Sequence, residues 1–524
     1  MTNVTNIIRR AAFLKFSVLA IALAAALTAC QKDNSSPGDP SAVGEIVIAD
    51  LPDVDVVAYT GIPLTVTPEV KATYTEDDLT YNWYLIKGKD DQYNGFRQYP
   101  IGEGKTLNYD VKLGSGTYTV VLEVKAKSNG YGQIKSFALN VSTEFSKGFY
   151  ILKAMGDGTS ELDLMTDKSE SHDLLTKLSG APLDGEPVSL AMIYMQSYIN
   201  EDNDEMETTK MLNVFTTKEY RAYRVEDLKQ TFSQKTISFA GEDTGDKYYN
   251  IVQGFFTGYL LCSGGIGVLD MGGYSPSSGK IGMPVFGSAS RFMQVAGSGM
   301  TGYFYWNEAE HVIYSTDYNG IDAFPADYDT STMDIKSQEC IASGINKVGG
   351  VETLWFIADE SSTHTRWLYL INGSSAAVTI KKLDTSLHAS KATALAACGA
   401  KAAIIYVIDG GKLYAYSWTQ DTEWEVPTPG IPAGETISFV TNQWIASRYY
   451  SYKNFDNLIV GTQSGNNYKL YFYNDFTGGN PVSEPFRTIS GTGKPKSVRY
   501  ASQYSIESTD LMMAGSAPTI PTSD

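Results

Sequence analysis

From residue 45 to residue 141 the chain places apolar residues at every second position in short runs. The runs are 45–48, 62–72, 79–86, 106–111, 116–127 and 134–141. Each is rich in Val, Thr, Tyr or Leu and ends in turn residues, which is the pattern of a half-buried strand. Leu79, Tyr81, Trp83 and Leu85 share one face, and Tyr118, Val120, Leu122 and Val124 share another. Two sheets facing each other through such stripes predict a β-sandwich over 45–142, with Trp83 and Tyr118 in its core.

Beyond residue 146 the pattern becomes a recurring strand–turn–strand unit. Seven such hairpins start at Gly148, Leu212, Gly258, Gly302, Leu354, Ile404 and Leu458. The starts are 64, 46, 44, 52, 50 and 54 residues apart, a period near 50 that predicts a β-propeller over 146–510. The expectation is seven blades within a range of six to eight. The alternative is two stacked sandwiches, which the even spacing disfavours. The hairpins are expected to be the inner and middle strands of each blade. Runs 436–440 and 289–294 are expected to complete blades, and 496–505 to return as an outer strand beside the first blade. Residues 511–524 read as a tail. The fold class is therefore all-β, a sandwich followed by a propeller.

The first thirty residues follow a different rule. Arg9, Arg10 and Lys15 precede an apolar run, 16–28, that is short for a membrane span and ends in Leu27-Thr28-Ala29-Cys30. This is a signal-peptide pattern, and its last four residues resemble the lipobox of bacterial lipoproteins. The resemblance implies cleavage before Cys30, acylation of that residue (palmitate or a similar chain) and anchoring to the bilayer. Residues 31–44, QKDNSSPGDPSAVG, read as a flexible tether. Lys32-Asp33 faintly resembles the charged export tag of surface lipoproteins, so an outer-membrane, cell-surface location is expected.

Gly61, Leu64 and Pro68, the Tyr81-Asn82-Trp83 strand and the Gly116-Thr117-Tyr118-Thr119-Val120 strand resemble a PKD or PKD-like domain. With the lipobox before it and a propeller-like region after it, the chain is similar to PKD-like lipoproteins of bacteria with starch-utilisation-system (Sus-like) loci. That resemblance implies nutrient capture at the cell surface beside a TonB-dependent porter and its partner lipoprotein.

The chain has 524 residues and a net charge of -18, which opposes binding of nucleic acid or anionic lipid. Of its four cysteines, Cys262, Cys340 and Cys398 remain once Cys30 is set aside. Their spacing fits no metal pattern. Cys262 and Cys398 sit in apolar runs and read as core residues.

Catalytic motifs are not found: there is no HExxH and no GxSxG. Gly104-Lys105-Thr106 mimics the end of a phosphate loop, but Tyr99 stands where its first Gly belongs and no helix follows. The CSGGIG run reads as a hairpin turn. His172, His311, His364 and His388 are scattered over different units. The acidic run Glu201-Asp202-Asn203-Asp204-Glu205 lacks the spacing and Gly of an EF-hand, so neither calcium nor any other cofactor is expected.

Aromatics between strand signals are the binding candidates. These are Trp444, Arg448, Tyr449 and Tyr450, with Trp424 and Trp306 behind them. Planar side chains stack on sugar faces or peptide side chains, and Arg448 can bond a carboxylate or hydroxyl. The function expected is non-catalytic capture of a glycan or peptide. Two alternatives are a propeller-fold glycoside hydrolase or lyase and a structural scaffold of the uptake complex.

Overall fold

The computed structural model describes residues 44–501 apart from 59, 61, 92–94, 202–203, 242, 254–257, 270–277, 283, 285–286, 288, 296–302, 317–322 and 446–454. Cys30, the tether up to residue 43, Arg448, Tyr449, Tyr450 and the 511–524 tail lie outside the described residues. Among the described residues no helix is long and apolar enough to cross a membrane. Two compact units are present. One holds residues 44–54, 63–109 and 118–138, and the other holds 55–62, 110–117 and 139–501.

The N-terminal strands form a five-stranded sheet and two two-stranded sheets. In the five-stranded sheet Trp83 lies opposite Leu122, and Leu85 opposite Val120. All four are buried, as the alternation requires, whereas Tyr118 is only half-buried. The indole N–H of Trp83 donates to the carbonyl of Gly104 (2.9 Å), so the buried ring leaves no polar group unpaired. Lys105, beside that turn, pairs with Glu76 at 3.1 Å, so the phosphate-loop mimic is a sandwich turn. Two strands escaped the sequence reading, Val54–Val57 and Gly95–Glu103. The second contains Pro100, tolerated because this is the sheet's edge strand.

Among the described residues the second unit holds seven antiparallel sheets of three to five strands, numbered 1 to 7 by the hairpins at Gly148, Leu212, Gly258, Gly302, Leu354, Ile404 and Leu458, and a small two-stranded sheet of Phe476–Thr477 and Asn480–Pro481. The strands that open successive sheets touch one another in turn. These are Pro187–Asn200, Tyr248–Gln253, Met293–Val295, Gln338–Val348, Ala394–Ala397 and Ile437–Ile445. The series closes through Lys494–Ala501, which touches both Ile437–Ile445 and Pro187–Asn200. Seven strands therefore ring a common axis, and the sheets are the blades of a seven-bladed propeller.

The seven hairpins expected from the sequence are all present, but as the second and third strands of their blades. Most of their residues are buried. In blade 5, residues 353–360 of Val351–Glu360 pair with the whole of Thr365–Asn372. Asp409-Gly410-Gly411-Lys412 turns the hairpin of blade 6 with φ of +58° at Gly410 and +77° at Gly411, the two positive values a type I′ turn requires. The expected outer role of the C-terminal strand is corrected. Lys494–Ala501 pairs antiparallel with Gly148–Ala154, with a bulge at Leu152/Lys153, and is the inner strand of blade 1. An outer strand would have left the inner edge of Gly148–Ala154 unpaired at the axis.

Candidate functional site

The inner strands present their free edges to the axis, so their backbone groups need partners from elsewhere. Side chains on the inner strands reach neighbouring blades, and some of them bond these edges. Ser189 Oγ donates to the Tyr249 carbonyl (2.6 Å), and Asn346 Nδ2 donates to the carbonyls of Ala402 and Ile404 (2.9 and 3.0 Å). Ser497 Oγ accepts from the Leu190 N–H (3.1 Å), and Tyr194 Oη donates to the Tyr500 carbonyl (3.0 Å). Gln294 donates to Ser343 at 3.0 Å. This polar belt ties blade to blade and explains the polar residues within otherwise apolar strands. Arg499 lies in the belt, and burial lowers its guanidinium to a pKa of about 10.

A second cluster joins blade 1 to blade 7. Lys153 and Asp163 are fully buried, with Nζ 2.7 Å from the carboxylate and 2.8 Å from that of Asp173. Tyr468, from blade 7, donates to Asp163 (2.6 Å), and His172 Nδ1 lies 3.0 Å from the same carboxylate. Burial pushes the Asp163 carboxyl upward. The Lys153 charge and the bonds from Lys153, Tyr468 and His172 outweigh it and hold the group below the usual range. Every member is held by another member, so the cluster works as a latch across the ring closure.

The remaining histidines stay apart. The ring of His388 stacks on Tyr414 with centroids 3.6 Å apart, and Nδ1 lies 2.7 Å from Asp409. His311 Nδ1 bonds the Gln338 carbonyl, and both His311 and His364 hold positive φ in turns. Among the described residues no group of three or more His, Cys, Asp or Glu is placed to hold a metal. Cys262, Cys340 and Cys398 are buried free thiols. Burial raises Cys262 to about 11 and Cys398 to about 12, so they are inert packing groups.

The tryptophans singled out from the sequence are not gathered into one site. Trp306 is fully buried, with its ring 5.9 Å from that of Tyr369. Trp444 is 2% exposed and belongs to the same apolar cluster. Both are core residues and are corrected as binding candidates, because each sits within a strand covered by neighbouring blades. Trp424 is half-buried on the outer strand of blade 6 and donates to Asn480 (2.7 Å).

A concave site does exist elsewhere. The segment that connects blade 4 to blade 5 and the outer strands of blade 5 line a cavity of about 300 Å³. Its floor is Val378, Ile380, Met333 and the edge of Trp367, its wall is Tyr328, and Asp329 and Thr332 stand at its lip. The floor residues Val378 and Ile380 come from the outer strand Val378–Lys382, paired to Thr365–Asn372. Trp367 is fixed from behind, where Nε1 donates to Glu360 (2.9 Å), and Lys382 Nζ lies 5.9 Å from its ring centroid. Tyr328 is fixed by the Ile313 N–H, which donates to its hydroxyl (2.9 Å). Sequence reasoning missed this site because its walls come from segments about fifty residues apart. The available signal was the aromatic and acidic run FPADYDTSTM between two strand signals.

These features define a two-part β protein, a sandwich and a closed seven-bladed propeller carrying a small lateral pocket. Residues 41–187 match the PKD-like family. No curated protein matches the chain. Solved structures are similar at low identity. A quinonprotein alcohol dehydrogenase-like protein from Bacteroides thetaiotaomicron VPI-5482 is 14% identical over 86% of this chain and 96% of its own, with a TM-score of 0.39. The dihydro-heme d1 dehydrogenase NirN is 9% identical over 75% of this chain and 74% of its own, with a TM-score of 0.36. Likeness at this level carries no functional argument, and the propeller rests on the strand order described above.

Proposed function

We propose that this protein is a non-catalytic lipoprotein of the outer cell surface that captures a nutrient, a glycan or peptide, for a TonB-dependent Sus-like uptake complex. The order of parts carries the reading: a lipobox-like Cys30, a PKD-like match and a propeller with an open, rigidly backed pocket. Acylation would hold the chain at the bilayer. The closed ring is suited to a preformed binding surface, because blade-to-blade hydrogen bonds fix the elements that carry the pocket.

The test is binding of the purified protein to polysaccharide and peptide panels by affinity gel and calorimetry, with product formation assayed in the same samples. Saturable binding without product is expected. Product formation supports a hydrolase or lyase instead, and the absence of any binding supports a scaffold.

A further inference from the structure

The geometry points to the pocket between blades 4 and 5 as a subsite for a single neutral sugar ring. The inference rests on the capture reading and names the ligand class for it. Size is the first argument. At about 300 Å³ the cavity lies at the bottom of the range for small-molecule sites, roughly 300–1,000 Å³, so it suits one ring rather than a long chain.

Chemistry is the second. Val378, Ile380, Met333 and Tyr328 give the pocket a small apolar part for the C–H face of a pyranose, and the larger share of its accessible lining is polar, as a polyhydroxylated ring requires. The lip offers a carboxylate acceptor at Asp329 and a hydroxyl at Thr332, which donates or accepts. Both lip residues are exposed, and the Asp329 carboxylate also accepts from the Ser331 N–H (2.8 Å), which fixes its direction. A polyhydroxylated ring uses floor and lip together.

The competing ligands use only part of the site. An aliphatic peptide side chain would fill the apolar part of the pocket and leave the Asp329 and Thr332 groups to water. A phosphate or sulfate would meet the Asp329 carboxylate on a chain of net charge -18. A neutral sugar has neither drawback.

The test uses the full-length protein in detergent and calorimetry with neutral oligosaccharides of glucose, mannose, galactose or xylose. A panel of apolar hexapeptides runs beside them. Asp329→Ala/Thr332→Ala is the pocket variant and Lys391→Ala the control on blade 6, with melting temperatures measured for all three proteins. The expected result is binding of at least one neutral sugar, weakened about tenfold or more in the pocket variant and unchanged in the control. A tenfold loss corresponds to about 1.4 kcal/mol, the scale of one or two lost hydrogen bonds. If the native protein binds a glycan and the folded pocket variant binds it equally well, the subsite is wrong and the capture reading stands. If peptides bind and the pocket variant loses them, the ligand class is wrong. If the native protein binds no neutral sugar, the proposal fails at its root.

Discussion

At the residue scale the sharpest commitments are the buried charges. Asp163→Asn removes the carboxylate that faces Lys153, Tyr468 and His172 at once, while the Lys153 ammonium stays buried. Breaking one side of a buried pair costs about 3–5 kcal/mol, so a large drop in the urea midpoint is expected. The pH dependence follows from the same group. Its folded pKa lies below the usual 3.8, so its stabilisation is present above that value and is lost as pH falls through the lower folded one. Asp456 works in the opposite sense. Burial raises its pKa to about 6, against the bonds from Asn442 and the Ala400 N–H. A raised carboxyl contributes stability below its unfolded value and loses it as pH rises through about 6. Urea titrations from pH 3 to 8 should therefore show a rising limb in the acid range and a falling contribution between about 4 and 6. Asp456→Ala should remove the second and leave the first. None of this was legible in the sequence, where 59 acidic residues look alike until the fold buries a few of them.

At the element scale, what the sequence revealed and what it hid divide by burial. The hairpins were readable because most of their strand residues are buried and several of their turns carry Gly or Asp, as at Asp409-Gly410-Gly411-Lys412. The inner strands were obscure. Met293–Val295 and Ala394–Ala397 are short, and Ser189, Asn346 and Ser497 interrupt the apolar pattern because they serve the backbone edge of a neighbouring blade. Trp306 and Trp444 misled for a related reason. Polar neighbours such as Asn307 and Gln443 made their strand ends resemble loops, yet those neighbours are themselves buried. Two outcomes test these placements. Gly344 lies opposite Trp355, and a Cβ there would run into the indole ring. Gly344→Ala should destabilise by about 1–3 kcal/mol in urea melts, the usual cost of overpacking. Deleting residues 494–524 removes the inner strand of blade 1 and leaves Gly148–Ala154 with one bare edge. That truncation should lose the cooperative thermal transition seen by circular dichroism and should aggregate, whereas deleting 511–524 alone should leave the transition in place.

At the scale of the whole molecule, ring closure and the proposed surface display are separable properties. Closure depends on pairing between the two ends of the propeller, Gly148–Ala154 and Lys494–Ala501. On the proposed lipoprotein reading, display would depend on acylation of Cys30, because the net charge of -18 opposes attachment to an anionic lipid surface. Acyl chains on Cys30 would supply that attachment, at about 0.8 kcal/mol for each buried methylene. Cys30→Ser should therefore abolish incorporation of labelled palmitate and move the protein from the membrane fraction to the soluble fraction. The released protein should keep the melting temperature and the ligand affinity of the anchored form. A Cys30→Ser protein that stays on the membrane and washes off in high salt would assign the attachment to surface charge instead, and one that stays through salt and carbonate would place a second anchor elsewhere in the chain.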